Sequence, residues 1–560
     1  MDDYRGLIDE ILDKQPSGYR EVLKIRDKYA KKYRPGRVPS FIQLILMAKK
    51  DEKKELAKML KTKPVRESSG VNVVAVMAKP AKCEHGTCMY CPGGLASEFG
   101  DTPQSYTGKE PASMRAGRNM YNPYLQVFNR LEQYLLLGNY PGKVELIIMG
   151  GTFNATSIDY QNEFIRDCLM ALNDFGELFL RGGIDFERFI DFFELSWGDL
   201  MNKEKIARVQ GKILEMIKNR KSISLETVQK ENETALIRCV GMVLETRPDF
   251  AMQEHIDTAL KQGFTRVELG VQTLDNSVLK FINRGHDVER VITATRLLKD
   301  ACYKVGYQYM LGLPGVGIEE EVKMFKSLFS DDVFKPDALK LYPCMVIKGT
   351  GLYKLWEQGD YKPLTTDEAV KLIAELKKTI PKYCRVMRIQ RDIPGSGISA
   401  GVDRTNLRQY VQKFMKKEET ACRCLRCRQY REGDIKNPVL KRFDYNASKG
   451  DEVFLSMEES DKVIGYLRLR NPYKLVRKEI DDKTALIREL HVYGRAVPVG
   501  GAGGAQHQGF GRRLLAEAER IALEEFDKKK MIVISGIGAR EYYLMLGYKR
   551  EGEYMGKRLG

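Results

Sequence analysis

The sequence predicts an α/β protein in which two sheet-bearing domains follow one another behind a basic helical segment. Three observations predict it. Short β-rich runs alternating with amphipathic segments begin near residue 71, a second α/β pattern begins near residue 451, and the first seventy residues alternate apolar and charged positions at helical spacing. At 560 residues the chain also exceeds what one hydrophobic core supports, which fits three or four domains of ~100–200 residues.

Residues 1–70 (YREVLKIRDKYAKKY, then FIQLILMAKKDEKKELAKML, broken by RPGRVPS) read as two or three short basic helices. Residues 71–380 carry VNVVAVMA, KVELIIMGG, RCVGMVLETRP, RVELGVQT, KVGYQYMLGLPG and ALKLYPC, separated by helical stretches such as VERVITATRLLKDA. That order predicts a parallel sheet or barrel with its site at the strands' C-terminal ends. Residues 155–235, rich in Phe, Leu and charge, are too long for one crossover and read as a helical insertion. Residues 381–450 (RVMRIQRD, NLRQYVQKFMKK, ACRCLRCRQYREGD) read as a basic linker or small subdomain. Over 451–560, strands EVFLSM, KVIGYLRLR and TALIRELHVYG precede a Gly-rich turn, the helix RRLLAEAERIALEEF, the strand MIVISGI and a last helix and strand.

Ninety-three Lys and Arg stand against 76 Asp and Glu, a net charge of +17. The excess sits in two stretches: residues 1–70 hold 18 basic and 11 acidic side chains, and residues 381–450 hold 17 and 7. Such concentration points to a polyanion such as RNA or DNA, the alternative being a solvated basic face. The longest apolar stretches, FIQLILMA among them, fall well short of the ~18–20 residues that cross a bilayer, and the acidic opening MDDYRGLIDE resembles neither transit peptide nor secretory signal. A cytoplasmic protein with no membrane partner is expected. Its eleven cysteines are then metal ligands or core residues, with Cys168, Cys239, Cys302 and Cys384 reading as buried.

Cys83, Cys88 and Cys91 fall within nine residues, in the loop after the first predicted strand. Three thiolates can hold an iron-sulfur cluster and leave one iron open to a ligand; with His85 as a fourth ligand they can enclose structural zinc. Position at a barrel strand's C-terminal end favours catalysis. The triplet together with Met149–Thr152 (MGGT) resembles the radical S-adenosylmethionine enzymes, although spacings of four and two replace the usual three and two. CMYCPGG, QSYTGKEPASMRA, MGGTF, ETRPD, RVELGVQT, NRGH, GTGLYKLW, RIQRDIP, RELHVYG, QHQGFG and YYLMLGY resemble, in order, the catalytic subunit of Elongator and its single-chain relatives, from about residue 62 to the C-terminus.

This resemblance implies a partial TIM-type (β/α)6 barrel followed by a GNAT acetyltransferase domain. It implies a [4Fe-4S] cluster on Cys83, Cys88 and Cys91, and S-adenosylmethionine contacted by Gly150, Gly151 and Thr152. Glu245, Arg247, Glu268 and Gln272, with Lys348 and Arg284 less directly, are further candidates for that cofactor site. Gln506, Gln508, Gly509, Phe510 and Gly511 lie on a Q-x-Q-G-x-G turn before a helix, suited to the pyrophosphate of acetyl-coenzyme A. Tyr542 and Tyr543 fall where GNAT enzymes place a tyrosine near the thioester sulfur, and Glu489 and His491, on one face of a strand, are candidates to hold or activate water.

Cys422, Cys424 and Cys427, spaced C-x-C-x2-C, suit a zinc clip, with Cys344 or water as fourth ligand. By resemblance the reaction adds an acetyl-derived carbon to carbon 5 of the wobble uridine in transfer RNA and hydrolyses the thioester to leave a carboxymethyl group. The anticodon stem-loop would be held by the two basic stretches, and Elongator-type subunits or a second copy are the assemblies it allows. A protein-lysine acetyltransferase with a vestigial first domain and a non-catalytic RNA-binding scaffold are the other readings.

Overall fold

In the computed structural model the described residues are 4–17, 19–33, 38–39, 41–59, 70–195, 202–218, 220, 222–431, 435–494 and 508–560. Four N-terminal helices, Arg5–Lys14, Tyr19–Tyr33, Phe41–Met47 and Lys50–Met59, bury Leu7, Ile8, Ile11, Val22, Phe41, Leu44 and Leu56 together. Phe186 of the insertion joins the same cluster, so the helices dock on the insertion.

The first sheet is parallel throughout. After β1 (Asn72–Met77) come a small hairpin of β2 (Gly94–Ser97) and β3 (Gly100–Thr102), then β4 (Lys143–Met149), β5 (Arg238–Thr246), β6 (Arg266–Gln272), β7 (Lys304–Leu311), β8 (Ala338–Pro343) and β9 (Arg385–Ile389). The order is β1-β4-β5-β6-β7-β8-β9. It has seven strands, one more than the (β/α)6 expectation. The seventh, β9, comes from the stretch read as a linker: RVMRI pairs with β8, and its basic residues hid a strand that is half charged.

The insertion comprises helices Ile158–Phe179, Phe186–Phe192, Lys203–Lys218 and Leu225–Thr234. Ser157 caps the first by accepting from Tyr160 N, and an apolar stripe from Phe164 to Phe179 is buried against the barrel.

The second sheet is mixed: β10 (Val439–Ala447), β11 (Gly450–Glu459), β12 (Lys462–Asn471), β13 (Thr484–Val492), β14 (Lys530–Val533), β15 (Lys549–Glu551) and β16 (Tyr554–Arg558), ordered β10-β11-β12-β13-β14-β16-β15. One face packs on helix Phe510–Glu524 through Val453, Leu455, Leu467, Ile487, Leu514 and Ala518. The other face lies on the barrel: Tyr466, Leu486, Tyr493 and Ile532 belong to the same apolar cluster as the barrel strands. Among the described residues no helix is long and apolar enough to cross a membrane.

Candidate active site

The loops leaving β1, β4, β5 and β6 converge at the C-terminal end of the barrel. They line a cavity of about 590 Å³, counting its open mouth, with Cys83, Cys88, Cys91, Gly150, Gly151, Thr152, Arg247, Gln272 and Arg284 in its wall. Ser105 N donates to Cys91 Sγ at 3.0 Å, and the Cys91 thiol donates to Gln104 Oε1 at 2.9 Å. Arg284 Nη1 donates to Cys88 Sγ at 3.7 Å, and His85 Nε2 lies 3.2 Å from the same sulfur. Burial, then the neighbouring Cys88 sulfur, pushes Cys83 up and Cys91 up to about 11.

Glycine is required after β4. Gly150 has φ +115, and a Cβ there would stand 3.0 Å from Ala78 N; Gly151 has φ +69 and faces open space beyond Gln104. Arg247 is held by Asp249 and by Gly285 O at 3.2 Å, yet its Nη1 is buried with no partner among the described residues. A carboxylate entering the cavity meets that need. Two non-glycine residues on the wall, Ser105 (φ 74) and Gln272 (φ 72), are left-handed, a strain typical of ligand sites. Three sulfurs, an unsatisfied guanidinium edge and a backbone cradle together fit a cluster and an amino-acid sulfonium.

A second cavity of about 710 Å³ shares Ser105, Tyr106, Glu245, Gln272 and Gln308 with the first and adds Tyr90, Tyr342, Arg388 and Arg391. Arg391 donates to Ser105 O, tying β9 to the loop beside the cysteines. Sequence reasoning quoted QSYTG and RIQRDIP without giving these residues a role. Two of its candidates lie elsewhere. Lys348 is exposed and pairs with Glu98 at 3.5 Å, outside both cavities. Glu268 lies deeper in the barrel, where Lys340 bridges it to Glu245 and Arg266 pairs with it at 3.2 Å. Burial opposes its ionisation, but Lys340 and Arg266 outweigh that and draw it down.

The second domain opens where β13 leaves β14. Their last pair is Ile487↔Val533, so Arg488–Val492 run on unpaired on that side. A bulge skips Arg488 in the pairing with β12, which turns the phase so that Arg488 and Glu489 both meet the barrel. Glu489 pairs with Lys304 and, at 2.9 Å, with Arg468, and accepts from Tyr466 Oη at 2.6 Å. Burial works against its charge, but these cations hold it well below the usual carboxylate range. A carboxylate held ionised by two cations and a phenol is a weak base. His491 keeps a buried Nε2 with no partner among the described residues, and burial lowers it to about 3, so it is neutral near pH 7.

Gly509 (φ +79) caps helix Phe510–Glu524, and Tyr542 Oη lies against Gly511, where a Cβ would stand 2.7 Å from it. Phe510 and Tyr543 instead pack into the core under that helix, so of the two tyrosines Tyr542 faces the cleft. Gln508 is exposed beside it, and Gln506 lies outside the described residues.

Cys422, Cys424 and Cys427 bring their sulfurs within 4.8 Å of one another, a spacing that suits one ion; no other such group of His, Cys or acidic residues occurs among the described residues. The first triplet, more widely set around its cavity, suits a multi-iron cluster better. Cys344 is not the fourth ligand: it packs with Cys88, Val346 and Tyr361 in a different cluster. The nearest cation to the second triplet is Lys377, whose Nζ is 3.6 Å from Cys427 Sγ.

Family profiles match the chain in four places. These are the ELP3 N-terminal domain over residues 2–68, the Radical SAM superfamily over 80–328, the Radical_SAM C-terminal domain over 336–417 and the acetyltransferase (GNAT) family over 420–548. A Methanocaldococcus infernus protein described as a tRNA uridine(34) acetyltransferase is 46% identical over 99% of each chain. Elongator complex protein 3 of Saccharomyces cerevisiae is 40% identical over 98% of this chain and 94% of its own. The solved structure of the Methanocaldococcus infernus Elp3 with an N-terminal deletion (1–46) has TM-score 0.70 and 43% identity, over 88% of this chain and 100% of that one. The chain belongs to the Elongator complex protein 3 family, in which a radical S-adenosylmethionine domain is joined to a GNAT acetyltransferase domain.

Proposed function

We propose that the chain is a transfer-RNA wobble-uridine carboxymethyl synthase: acetyl-coenzyme A donates two carbons, carbon 5 of the uridine accepts them, and thioester hydrolysis leaves a carboxymethyl group. A [4Fe-4S] cluster with S-adenosylmethionine would supply radical chemistry in which the acetyl methyl group gives up one hydrogen atom to the deoxyadenosyl group, carbon 5 loses its hydrogen as a proton, and the remaining electron returns to the cluster, so that S-adenosylmethionine is the net oxidant. Cys83, Cys88 and Cys91 hold the cluster; Gly150, Gly151, Thr152 and Arg247 hold the amino and carboxylate groups. The observation that carries the reading is the shared wall of the two cavities. The second, rimmed by Tyr90, Tyr342, Arg388 and Arg391, suits an unstacked base and its phosphate next to the radical source.

In the second domain Gly509 and Gly511 bring backbone close to the pyrophosphate, and Tyr542 hands a proton to the leaving thiolate. The face of β13 where a GNAT enzyme admits an acceptor amine is covered by the barrel, which weighs against a protein-lysine acetyltransferase. Nucleoside mass spectrometry of transfer RNA incubated with protein, S-adenosylmethionine, acetyl-coenzyme A and a reductant tests the proposal; acetylated peptide and unmodified uridine would overturn it.

The exposed Arg404, Lys413, Lys416, Lys417, Arg423 and Arg431, with Tyr410 among them, are the RNA-facing part of residues 381–450, whereas Arg385 and Arg428 are buried in internal pairs. About six phosphate contacts predict that affinity for transfer RNA falls on the order of 10³-fold between about 50 and 200 mM salt, measured by fluorescence anisotropy. Zinc on Cys422, Cys424 and Cys427 is part of the same proposal: Cys427→Ser should lose about one zinc per chain by elemental analysis and lower the melting temperature while retaining iron.

A further inference from the structure

The barrel's floor completes the acyl cleft. β13 and β14 part after Ile487↔Val533, and just past that point Glu489 reaches out of its own domain to Lys304, the first residue of β7. Around this pair the domain joint is sealed: Arg488, Asp337, Glu452, Lys299 and Arg470 are all within 1% of full burial. Lys304 and Glu489 differ, with side chains 15% and 8% exposed at the mouth of the opening. Glu489 in turn accepts from Tyr466 Oη, whose ring centroid lies 5.7 Å from that of His491, and His491 Nε2 has no partner among the described residues. A cation from the radical domain thus pairs with a carboxylate that accepts from the phenol packed against His491, where β13 runs on past its last pair with β14.

We propose that Lys304 is a positioning residue for thioester cleavage in the second domain. This rests on the acetyl-coenzyme A reading above. In that cleavage water adds to the carbonyl carbon, the C–S bond breaks with its electron pair on sulfur, and the thiolate takes up a proton; no oxidant or reductant is consumed. Lys304 touches neither coenzyme nor water. With Arg468 on the other carboxylate oxygen, it holds Glu489 where it accepts from Tyr466, which packs against His491.

The test uses the full-length, cluster-loaded protein with transfer RNA present. Thiol release from acetyl-coenzyme A gives kcat and KM, and 5′-deoxyadenosine formation with a reductant reports on the barrel. Lys304→Met is expected to lower kcat for thiol release about 10- to 100-fold with KM within about twofold and 5′-deoxyadenosine formation unchanged. Lys304→Arg is expected to recover most of the loss, and Lys304→Met combined with Glu489→Gln to be no worse than Lys304→Met alone, as for groups acting as a unit. Unchanged thiol release, or a parallel fall in 5′-deoxyadenosine and melting temperature, would overturn the inference. Wild-type protein that releases no thiol would instead overturn the reading on which it rests.

Discussion

Cys88→Ala is expected to reduce 5′-deoxyadenosine formation and uridine modification to below about one thousandth of wild type, while transfer-RNA binding stays within about twofold. Single preorganised donors contribute on the order of 10²–10³, and this substitution removes an entire group rather than one donor. Cys88 is the sulfur against which both Arg284 and His85 lie, and it lines the cavity. The exposed basic residues proposed to face RNA, on and around the helix Leu407–Lys417, line neither cavity, so binding has no reason to follow. Anaerobic reconstitution followed by absorption spectroscopy, iron analysis and anisotropy measures all three quantities. Simultaneous loss of binding and folding would make the triplet a structural zinc site instead.

The barrel was legible because its strands carry short runs rich in Val, Ile, Leu and Met, as in β1 and β4, with one face of each strand buried. What sequence could not show is depth along a strand. Glu268 and Gln272 are four residues apart on β6 and share a face, yet one is locked under Lys340 and the other lines the cavity. Barrel interiors are usually filled by branched apolar side chains; here Glu145, Arg266, Glu268 and Lys340 fill much of it, and only three-dimensional pairing makes such strands readable. The bulge at Arg488 had a similar effect. Alternation correctly put Glu489 and His491 on one face, but which face meets the barrel depends on one extra residue that leaves no mark in composition. Ser105 and Tyr106 were invisible for another reason: a left-handed serine has no sequence signature, unlike the glycine pair at Gly150.

Asp337→Asn is expected to separate the two domains' fates from their chemistry by undoing their joint. Asp337 is fully buried just before β8 and takes Arg488 at 2.6 and 2.9 Å, Arg468 at 3.4 Å and Lys299 at 3.8 Å. Burial opposes its charge, but Arg488, Lys299 and Arg468 outweigh that and hold it well below its ordinary value. Removing the charge while keeping the shape leaves three cations short of a partner, a loss of about 3–5 kcal/mol, or roughly a 3–4 °C drop in melting temperature for a cooperative unit of this size. Thiol release and 5′-deoxyadenosine formation should then fall together on heating, unlike the one-sided loss expected for Lys304→Met. The sign of the pH dependence follows from the depressed value. Asp337 stabilises the fold fully above the unfolded carboxylate range of ~4, and that contribution is lost as pH falls below it toward the folded value. Wild type should therefore lose stability steeply in acid, and Asp337→Asn should show a flatter profile from a lower start. Replacing Arg488 by methionine and Asp337 by leucine together should recover part of the loss, because the double change removes Asp337 with its closest cation and leaves Lys299 to Glu452 and Arg468 to Glu489, whereas either change alone strands the other member of the pair. Thermal unfolding of wild type, Asp337→Asn, the double variant and its two single changes between about pH 3 and pH 7 decides it; equal acid slopes in wild type and Asp337→Asn would mean that the joint is held by its apolar contacts alone.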